Sequence, residues 1–219
     1  MANIIESRLC FFDVETTGVV PGRDEVCEIA AIMTDLDLNE MDRIEMKVQL
    51  SDPELMTPEA ARINGYDSAV WAEEAKPFGQ WKAWLKKLCP RPHIAIPVGH
   101  NVGFDHEIIL QAYYKPYREF FHLAFRKIDT VGISMLLKQA GIIDVQDVKL
   151  ETVRKALKIG GEHHRAMGDA EAVKKIYEMS LELIRLGSKR MVFPTVTLDA
   201  SKDEDMPAEI PPTGDDSFL

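Results

Sequence analysis

Three short stretches of the sequence carry side chains that could bind divalent metal ions. Asp13 and Glu15 follow an apolar run and lie two residues apart, so on a strand both carboxylates point to the same side. Two unpaired acids at a buried strand end are costly to desolvate, and a cation between them would remove that cost. A solvated strand end is the ordinary alternative, and the spacing alone does not decide between the two.

Asp105 and Asp169 are the acids of the other two stretches. Asp105 follows a second apolar run, and taken singly it is better explained as a helix cap. Asp169 lies five residues after His164, slightly more than one helical turn, so both side chains can face one cleft. Taken singly, Asp169 could be a solvated helical acid, and His163 and His164 could be loop residues.

Together, these four carboxylates and a histidine suit phosphodiester hydrolysis. That reaction needs a nucleophile, neutralisation of the phosphate charge and a stabilised leaving oxygen. Two divalent ions can supply the last two and activate a water, and carboxylates are the ligands that Mg²⁺ and Mn²⁺ prefer. Histidine can accept the proton of that water because its ordinary pKa lies near neutrality.

The elements that must position these residues follow from the hydrophobic pattern. Strands are predicted at residues 9–14, 26–33, 43–50, 94–98 and 127–130. Helices are predicted at residues 58–63, 78–88, 105–114, 131–139, 149–157 and 165–186. Three strands in series, followed by alternating helix and strand, predict an α/β domain whose mixed five-stranded sheet begins with three antiparallel strands and is flanked by helices.

The three stretches, in this order, resemble the DnaQ-like (DEDD) exonuclease superfamily in its DEDDh branch. The resemblance rests on Asp13-Val14-Glu15-Thr16-Thr17-Gly18, Asn101-Val102-Gly103-Phe104-Asp105 and His164-Arg165-Ala166-Met167-Gly168-Asp169. It covers about residues 8–186 and implies a ribonuclease-H-like fold and 3′→5′ exonuclease activity. Asn64 is a departure, since histidine is common in the family at this position.

The resemblance also implies a role for each residue. Asp13 would bridge two Mg²⁺ or Mn²⁺ ions, and Glu15 and Asp169 would help hold the ion that positions the attacking water. Asp105 would support the other ion, and His164 would be the general base. The substrate's 3′ end would meet the residues Thr16, Thr17, Gly18, Asn101 and Phe104, although such a phenylalanine more often packs in the core. Phosphates could meet a basic patch of Lys149, Arg154, Lys155, Lys158 and Arg165, although each could simply belong to a solvated helix face.

The sequence leaves the nucleic-acid partner open between DNA and RNA. Thr16-Thr17-Gly18 is more similar to DNA-degrading and proofreading members, so DNA is favoured, and RNA 3′-end trimming is the alternative. A non-catalytic subunit of a polymerase or replication complex is a third possibility. The formal net charge of -10 argues against nucleic-acid binding unless cations and a local basic patch supply the attraction.

The remaining composition predicts one domain at residues 1–198 and an acidic, disordered tail at residues 199–219. The tail ends in Asp215-Asp216-Ser217-Phe218-Leu219 and could dock on a replication or repair protein, or only solubilise the chain. Cys10, Cys27 and Cys89 are expected to be buried free thiols. Without a signal-peptide pattern or a membrane-length apolar run, a soluble, cytoplasmic protein is expected.

Overall fold

A five-stranded mixed sheet lies at the centre of the protein in a computed structural model that describes residues 5–161 and 165–188. The strands are β1 Ile5–Thr16, β2 Val26–Thr34, β3 Glu40–Lys47, β4 His93–Gly99 and β5 Ile128–Asp129. Their order across the sheet is β3-β2-β1-β4-β5. The β1–β2 and β2–β3 pairs are antiparallel, and β1–β4 and β4–β5 are parallel. The predicted α/β class and antiparallel start are confirmed.

Helices flank this sheet in the described ranges. They are α1 Pro58–Asn64, α2 Ser68–Glu74, α3 Gly79–Leu88, α4 Val102–Ile109, α5 Thr130–Gln139, α6 Leu150–Leu157 and α7 Ala166–Ser188. The start of α1 has the expected chemistry, because the Thr57 side chain accepts a hydrogen bond from the backbone of Ala60 and Pro58 follows the cap. A π-helical turn, Leu110–Tyr114, continues α4.

Both faces of β1 are buried, and the carboxylates continue one of them. On one face Phe12 belongs to the larger core beneath α3 and α4. On the other face Phe11 packs with Val173 of α7 in a second cluster. Because side chains alternate along a strand, Asp13 and Glu15 continue the Phe11 face and point toward α7.

Two elements differ from the sequence prediction. β3 begins and ends three residues earlier than expected, because its pairing register places Lys47 opposite Glu28 of β2. Helix α2 was not predicted. Its hydrophobic signal is short, and it is fixed by tertiary contacts: Trp71 is buried and donates a hydrogen bond from Nε1 to the Cys27 carbonyl at 2.8 Å.

Cys10, Cys27 and Cys89 are buried free cysteines, as predicted. Among the helices of residues 5–161 and 165–188, none has the length and apolar character needed to cross a bilayer.

Several predictions concern residues outside the described ranges. His163 and His164 lie between the two ranges, and the acidic tail at 199–219 lies beyond the second. The general-base role of His164 and the disorder and docking of the tail therefore stay predictions, as does the domain boundary at residue 198.

Candidate active site

Three of the four predicted carboxylates meet at the carboxyl end of β1. Asp13 and Glu15 lie on the strand, and Asp169 lies in the first turn of α7. Each offers a carboxylate oxygen, and these oxygens lie within 4.8 Å of one another. The strand therefore brings two acids to one side, and packing of α7 across the sheet brings the third from 154 residues further along the chain.

Asp105 reaches the same end of the sheet from the neighbouring parallel strand. It is buried in the first turn of α4, immediately after β4. The connection between β4 and α4 is fixed by Asp129. Its Oδ1 accepts hydrogen bonds from the backbone N–H of Asn101 at 3.0 Å and of Val131 at 2.9 Å. Asp105 is not a member of the group of three acids, but its charge acts on Asp13.

Burial and mutual repulsion raise the pKa values of these acids. The pKa of Asp13 is raised well above its ordinary value, first by burial and then by the charges of Asp105 and Asp169. Burial, with Asp169 and Glu28, raises the pKa of Glu15 to about 7. Burial raises the pKa of Asp105 to about 7, although backbone N–H groups oppose the shift. Neutralisation of this cluster requires either protons or cations.

Glu28 is a fifth carboxylate at the site, and no role was predicted for it from the sequence. It lies opposite Glu15 in the β1–β2 pairing, is 1% exposed, and has its Oε2 buried without a hydrogen-bond partner. Its other oxygen accepts a hydrogen bond from Nε of Arg165 at 3.3 Å. In the sequence, Glu28 stands out only as a single acid inside the apolar run of β2. The local sequence does not show which strand pairs with β2 or in which register.

The carboxylates fit divalent metal ions. Asp13, Glu15 and Asp169 offer hard oxygen ligands within reach of one ion, and Asp105 adds a buried acid beside them. Burial first, and then neighbouring negative charges, raise the pKa values of Asp13 and Glu15, and a bound cation would relieve both costs. The histidine spacing that completes the motif involves His164, outside the described ranges.

We expect the stability of the metal-free protein to fall between about pH 4 and pH 8. Glu15 has an ordinary pKa near 4.3 when unfolded and about 7 when folded, so the folded state holds more protons in this window. A raised carboxyl pKa therefore contributes stability at low pH that is lost as pH rises through 7. In EDTA, Tm should drop by several degrees between pH 5 and pH 8, because each kcal/mol lost from the free energy of unfolding lowers Tm by about 2–4 °C.

Variant comparisons isolate the carboxylate cluster in this melting experiment. Glu15→Gln should show a smaller drop, because one titrating group is gone. Glu73→Gln should keep the wild-type drop, since Glu73 is an exposed acid on α2. Mn²⁺ should raise the wild-type Tm more at pH 8 than at pH 5, because it binds deprotonated carboxylates. An equal drop in wild type and Glu15→Gln would contradict the expectation.

A cavity of about 620 Å³ adjoins the carboxylates between the β1–β2 connection and α1. Glu15 and Thr16 line it near the cluster, and the exposed apolar side chains of Val19 and Ile63 line its outer part. Asn64 lies at its base, is buried, and donates a hydrogen bond from Nδ2 to the Thr16 carbonyl at 3.2 Å. The cavity therefore combines an acidic end with apolar walls.

The predicted substrate contacts separate into those at this cavity and those away from it. Thr16 and Gly18 line the cavity, and their contact with the substrate end stays a prediction. Thr17 does not fit that role: it is buried, its backbone N–H donates to the Glu25 carbonyl, and its hydroxyl accepts from the Glu25 N–H. Its contacts thus hold the connection to β2 together.

Two further predicted substrate contacts come from α4 and the residue before it. Phe104 is partly buried and packs against the larger core, so packing alone explains an apolar side chain at this position. Asn101 is exposed, and its backbone has φ 67° in the left-handed region. Asparagine tolerates that conformation better than most residues, so Asn101 also shapes the turn into α4.

The predicted basic patch is not a single exposed surface. Arg154 is buried and forms an ion pair with Asp169 at 2.7 Å, and Arg165 forms the ion pair with Glu28. Lys155 pairs with Glu151 one helical turn away. Two of the five predicted cations therefore balance acids at the carboxylate cluster.

Gly18→Ala should weaken substrate binding. An alanine Cβ would lie 2.4 Å from Oδ2 of Asp24, which is buried and held by Arg23 and the backbone of Val20. The connection that lines the cavity would have to shift, at a cost of about 1–3 kcal/mol. We expect KM for an oligonucleotide to rise and Tm to fall. Gly132→Ala is the control, since nothing lies within 4 Å of its added Cβ, and it should leave KM unchanged.

Comparison with known proteins decides the family. The profile of the exonuclease family RNase_T matches residues 10–177, from β1 into α7. The chain belongs to this exonuclease family. It is therefore a hydrolytic 3′→5′ exonuclease, and the resemblance of its three motifs to DnaQ-like exonucleases is confirmed.

Two curated relatives cover most of this exonuclease. An oligoribonuclease from Pseudoalteromonas translucida is 30% identical over 147 residues, which cover 63% of this chain and 78% of that protein. A ribonuclease T from Marinobacter nauticus is 31% identical over 180 residues, which cover 75% of this chain and 78% of that protein.

The fold is also that of solved exonucleases. The structure of Escherichia coli exonuclease I in complex with a dT13 oligonucleotide superposes with a TM-score of 0.65 at 23% identity. The match covers 84% of this chain but 43% of that one, so this exonuclease spans less than half of its length. The ribonuclease-H-like arrangement expected from the sequence is confirmed.

Proposed function

We propose that this exonuclease uses two divalent metal ions to release nucleoside monophosphates from the 3′ end of single-stranded or frayed DNA. The observation that carries the proposal is the group of Asp13, Glu15 and Asp169, with carboxylate oxygens within 4.8 Å, at the acidic end of a cavity large enough to admit a nucleotide. The buried free thiols are in keeping with action in the reducing cytoplasm.

In this proposal the acids divide the metal sites among themselves. Asp13 would contribute to both ions, Glu15 and Asp169 would help hold the ion that positions the attacking water, and Asp105 would support the other. When bound, such ions would neutralise charge on the phosphate and lower the pKa of a water. His164 would accept the proton of the attacking water as general base.

The cavity beside the cluster accepts the terminal nucleotide in this proposal. Val19 and Ile63 are exposed apolar side chains on its walls, suited to contact the face of a base. Thr16 holds the turn at the cavity's acidic end through a hydrogen bond from its hydroxyl to the Gly18 carbonyl at 2.6 Å. Contacts to the face of a base do not discriminate sequence, which suits stepwise removal of any nucleotide.

RNA is the second candidate substrate. It is favoured by the two curated relatives, which are an oligoribonuclease and a ribonuclease T. DNA is favoured by Thr16-Thr17-Gly18, which is more similar to DNA-degrading members of the superfamily.

Competition between matched substrates tests this choice. DNA and RNA oligonucleotides of one sequence, carrying different fluorophores, are digested together with Mg²⁺ or Mn²⁺, and kcat/KM is obtained for each. The proposal expects a higher kcat/KM for DNA. A higher value for RNA would move the assignment to RNA 3′-end trimming, and Glu15→Gln reports the background for both.

A further inference from the structure

A buried arginine lies directly behind the metal-binding carboxylates. Arg154 of α6 is 1% exposed, and its Nη1 donates to Oδ1 of Asp169 at 2.7 Å. A buried guanidinium is costly unless it is paired, and removal of one partner of such a pair leaves an uncompensated charge. Arg154 and Asp169 therefore neutralise each other. Removal of either side chain would leave an unpaired charge in the protein interior.

The same guanidinium holds the backbone on both sides of the turn between α6 and α7. Its Nη2 donates to the Gly160 carbonyl at 3.0 Å, and Nη1 also approaches the Gly168 carbonyl at 3.4 Å. Gly161 has φ 114°, and a Cβ there would lie 2.9 Å from Nη2. The backbone after α6 is thus shaped around the arginine head group.

These contacts involve residues on both sides of the predicted general base in the sequence. Gly160 precedes residues 162–164, and Gly168 and Asp169 follow them. The Arg154 side chain therefore links Gly160, which precedes this segment, to Gly168 and Asp169, which follow it. An arginine aimed inward in this way is turned from any phosphate in solvent.

We propose that Arg154 is a positioning residue of the active site. It holds the Asp169 carboxylate in the orientation that metal binding requires and ties Asp169 to the backbone of Gly160 and Gly168. The proposal rests on the two-metal function proposed above. Groups that hydrogen-bond to metal ligands typically change metal affinity or activity by about 10–100-fold when they are replaced.

The test compares Arg154→Lys, Arg154→Met and Val153→Ala with the wild type. Arg154→Lys keeps the charge but cannot bridge three acceptors as a planar guanidinium does. Arg154→Met removes the charge at similar length. Val153 is buried in the neighbouring apolar cluster, so Val153→Ala loosens the same helix without touching Asp169. Two sets of measurements are made. The first gives kcat and KM on a single-stranded oligonucleotide. The second gives the Mn²⁺ concentrations that half-saturate activity and the increase in Tm.

Both Arg154 variants are expected to raise the half-saturating Mn²⁺ concentration or lower kcat by about 10–100-fold, with KM for the oligonucleotide little changed. Val153→Ala should lower Tm while keeping the wild-type Mn²⁺ dependence. The proposal is overturned if both Arg154 variants stay within about twofold of wild type in Mn²⁺ dependence and kcat. It is also overturned if Val153→Ala shifts Mn²⁺ dependence equally, or if Arg154→Met binds Mn²⁺ more tightly.

Failure of the underlying function gives a different pattern. If the wild type cleaves no oligonucleotide with any divalent ion, the proposed function fails, and the Tm titration with Mn²⁺ still compares Arg154 variants with the wild type. A rise in KM alone would show that Arg154 contacts the substrate's phosphates, and this result also overturns the positioning role.

Discussion

Asp13→Asn is expected to lower kcat by about 10³-fold or more while the protein remains folded. Asp13 lies where the charges of Glu15, Asp105, Asp169 and Glu28 converge, and burial with these charges raises its pKa. Neutral asparagine has a similar shape but removes the acid assigned to both ions. Stabilisation of the phosphate by bound cations is worth several kcal/mol, and each 1.4 kcal/mol corresponds to about tenfold in rate.

The control for Asp13→Asn is Glu45→Gln, which removes one negative charge from the same sheet face. Asp13 pairs with Ala30 and Ala30 with Glu45, so the two acids lie in one row across β1, β2 and β3. Glu45 is exposed and should contribute nothing to turnover. In EDTA, Asp13→Asn should melt at or above the wild-type temperature, because one repulsive charge is gone. Turnover within tenfold of wild type would contradict the assignment.

His164→Ala is expected to lower kcat by about 10²–10⁴-fold, the usual contribution of a positioned general base. His163→Ala should leave kcat within a few-fold of wild type, because only His164 has the five-residue spacing to Asp169 found in the family. Arg165, directly after His164, is bound to buried Glu28, which anchors the start of α7 to β2. A dead His163→Ala enzyme with an active His164→Ala enzyme would reverse the assignment.

The pH dependence of kcat distinguishes a general base from a merely structural histidine. Only the neutral imidazole accepts a proton, so the wild-type rate should rise with pH through the histidine titration. In His164→Ala, measured at saturating Mn²⁺, this rise should be absent. A flat wild-type profile under conditions where chemistry limits the rate would exclude the base role.

The local sequence was sufficient to predict the elements that carry the motifs. The apolar runs of β1 and β2 are long and bounded by polar residues, and α7 is a long amphipathic helix, so both patterns are strong. The side of β1 that Asp13 and Glu15 share follows from strand periodicity alone. Their meeting with Asp169 came from the family resemblance, and the structure places all three together.

What could not be predicted depends on long-range packing. Glu28 is opposite Glu15 only because of the β1–β2 register, which the sequence of neither strand fixes by itself. Arg154 lies in a sequence typical of a solvated helix face. The packing of α6 against α7 nevertheless directs its side chain inward, to Asp169. Thr17 belongs to a family motif, but its hydroxyl accepts a hydrogen bond from Glu25 in the connection between β1 and β2. A motif identifies the chemistry, whereas tertiary contacts decide which of its members face the substrate.

The most direct test of the central claim is a time course on one single-stranded oligonucleotide labelled separately at its 3′ and 5′ ends, with Mg²⁺, Mn²⁺ or EDTA. We expect that, with metal, the 5′-labelled strand shortens through a ladder of single-nucleotide steps. The 3′ label should be released at once as a mononucleotide, and EDTA or Asp13→Asn should stop both. Cleavage that persists in EDTA, or a ladder that shortens from the 5′ end, would contradict it.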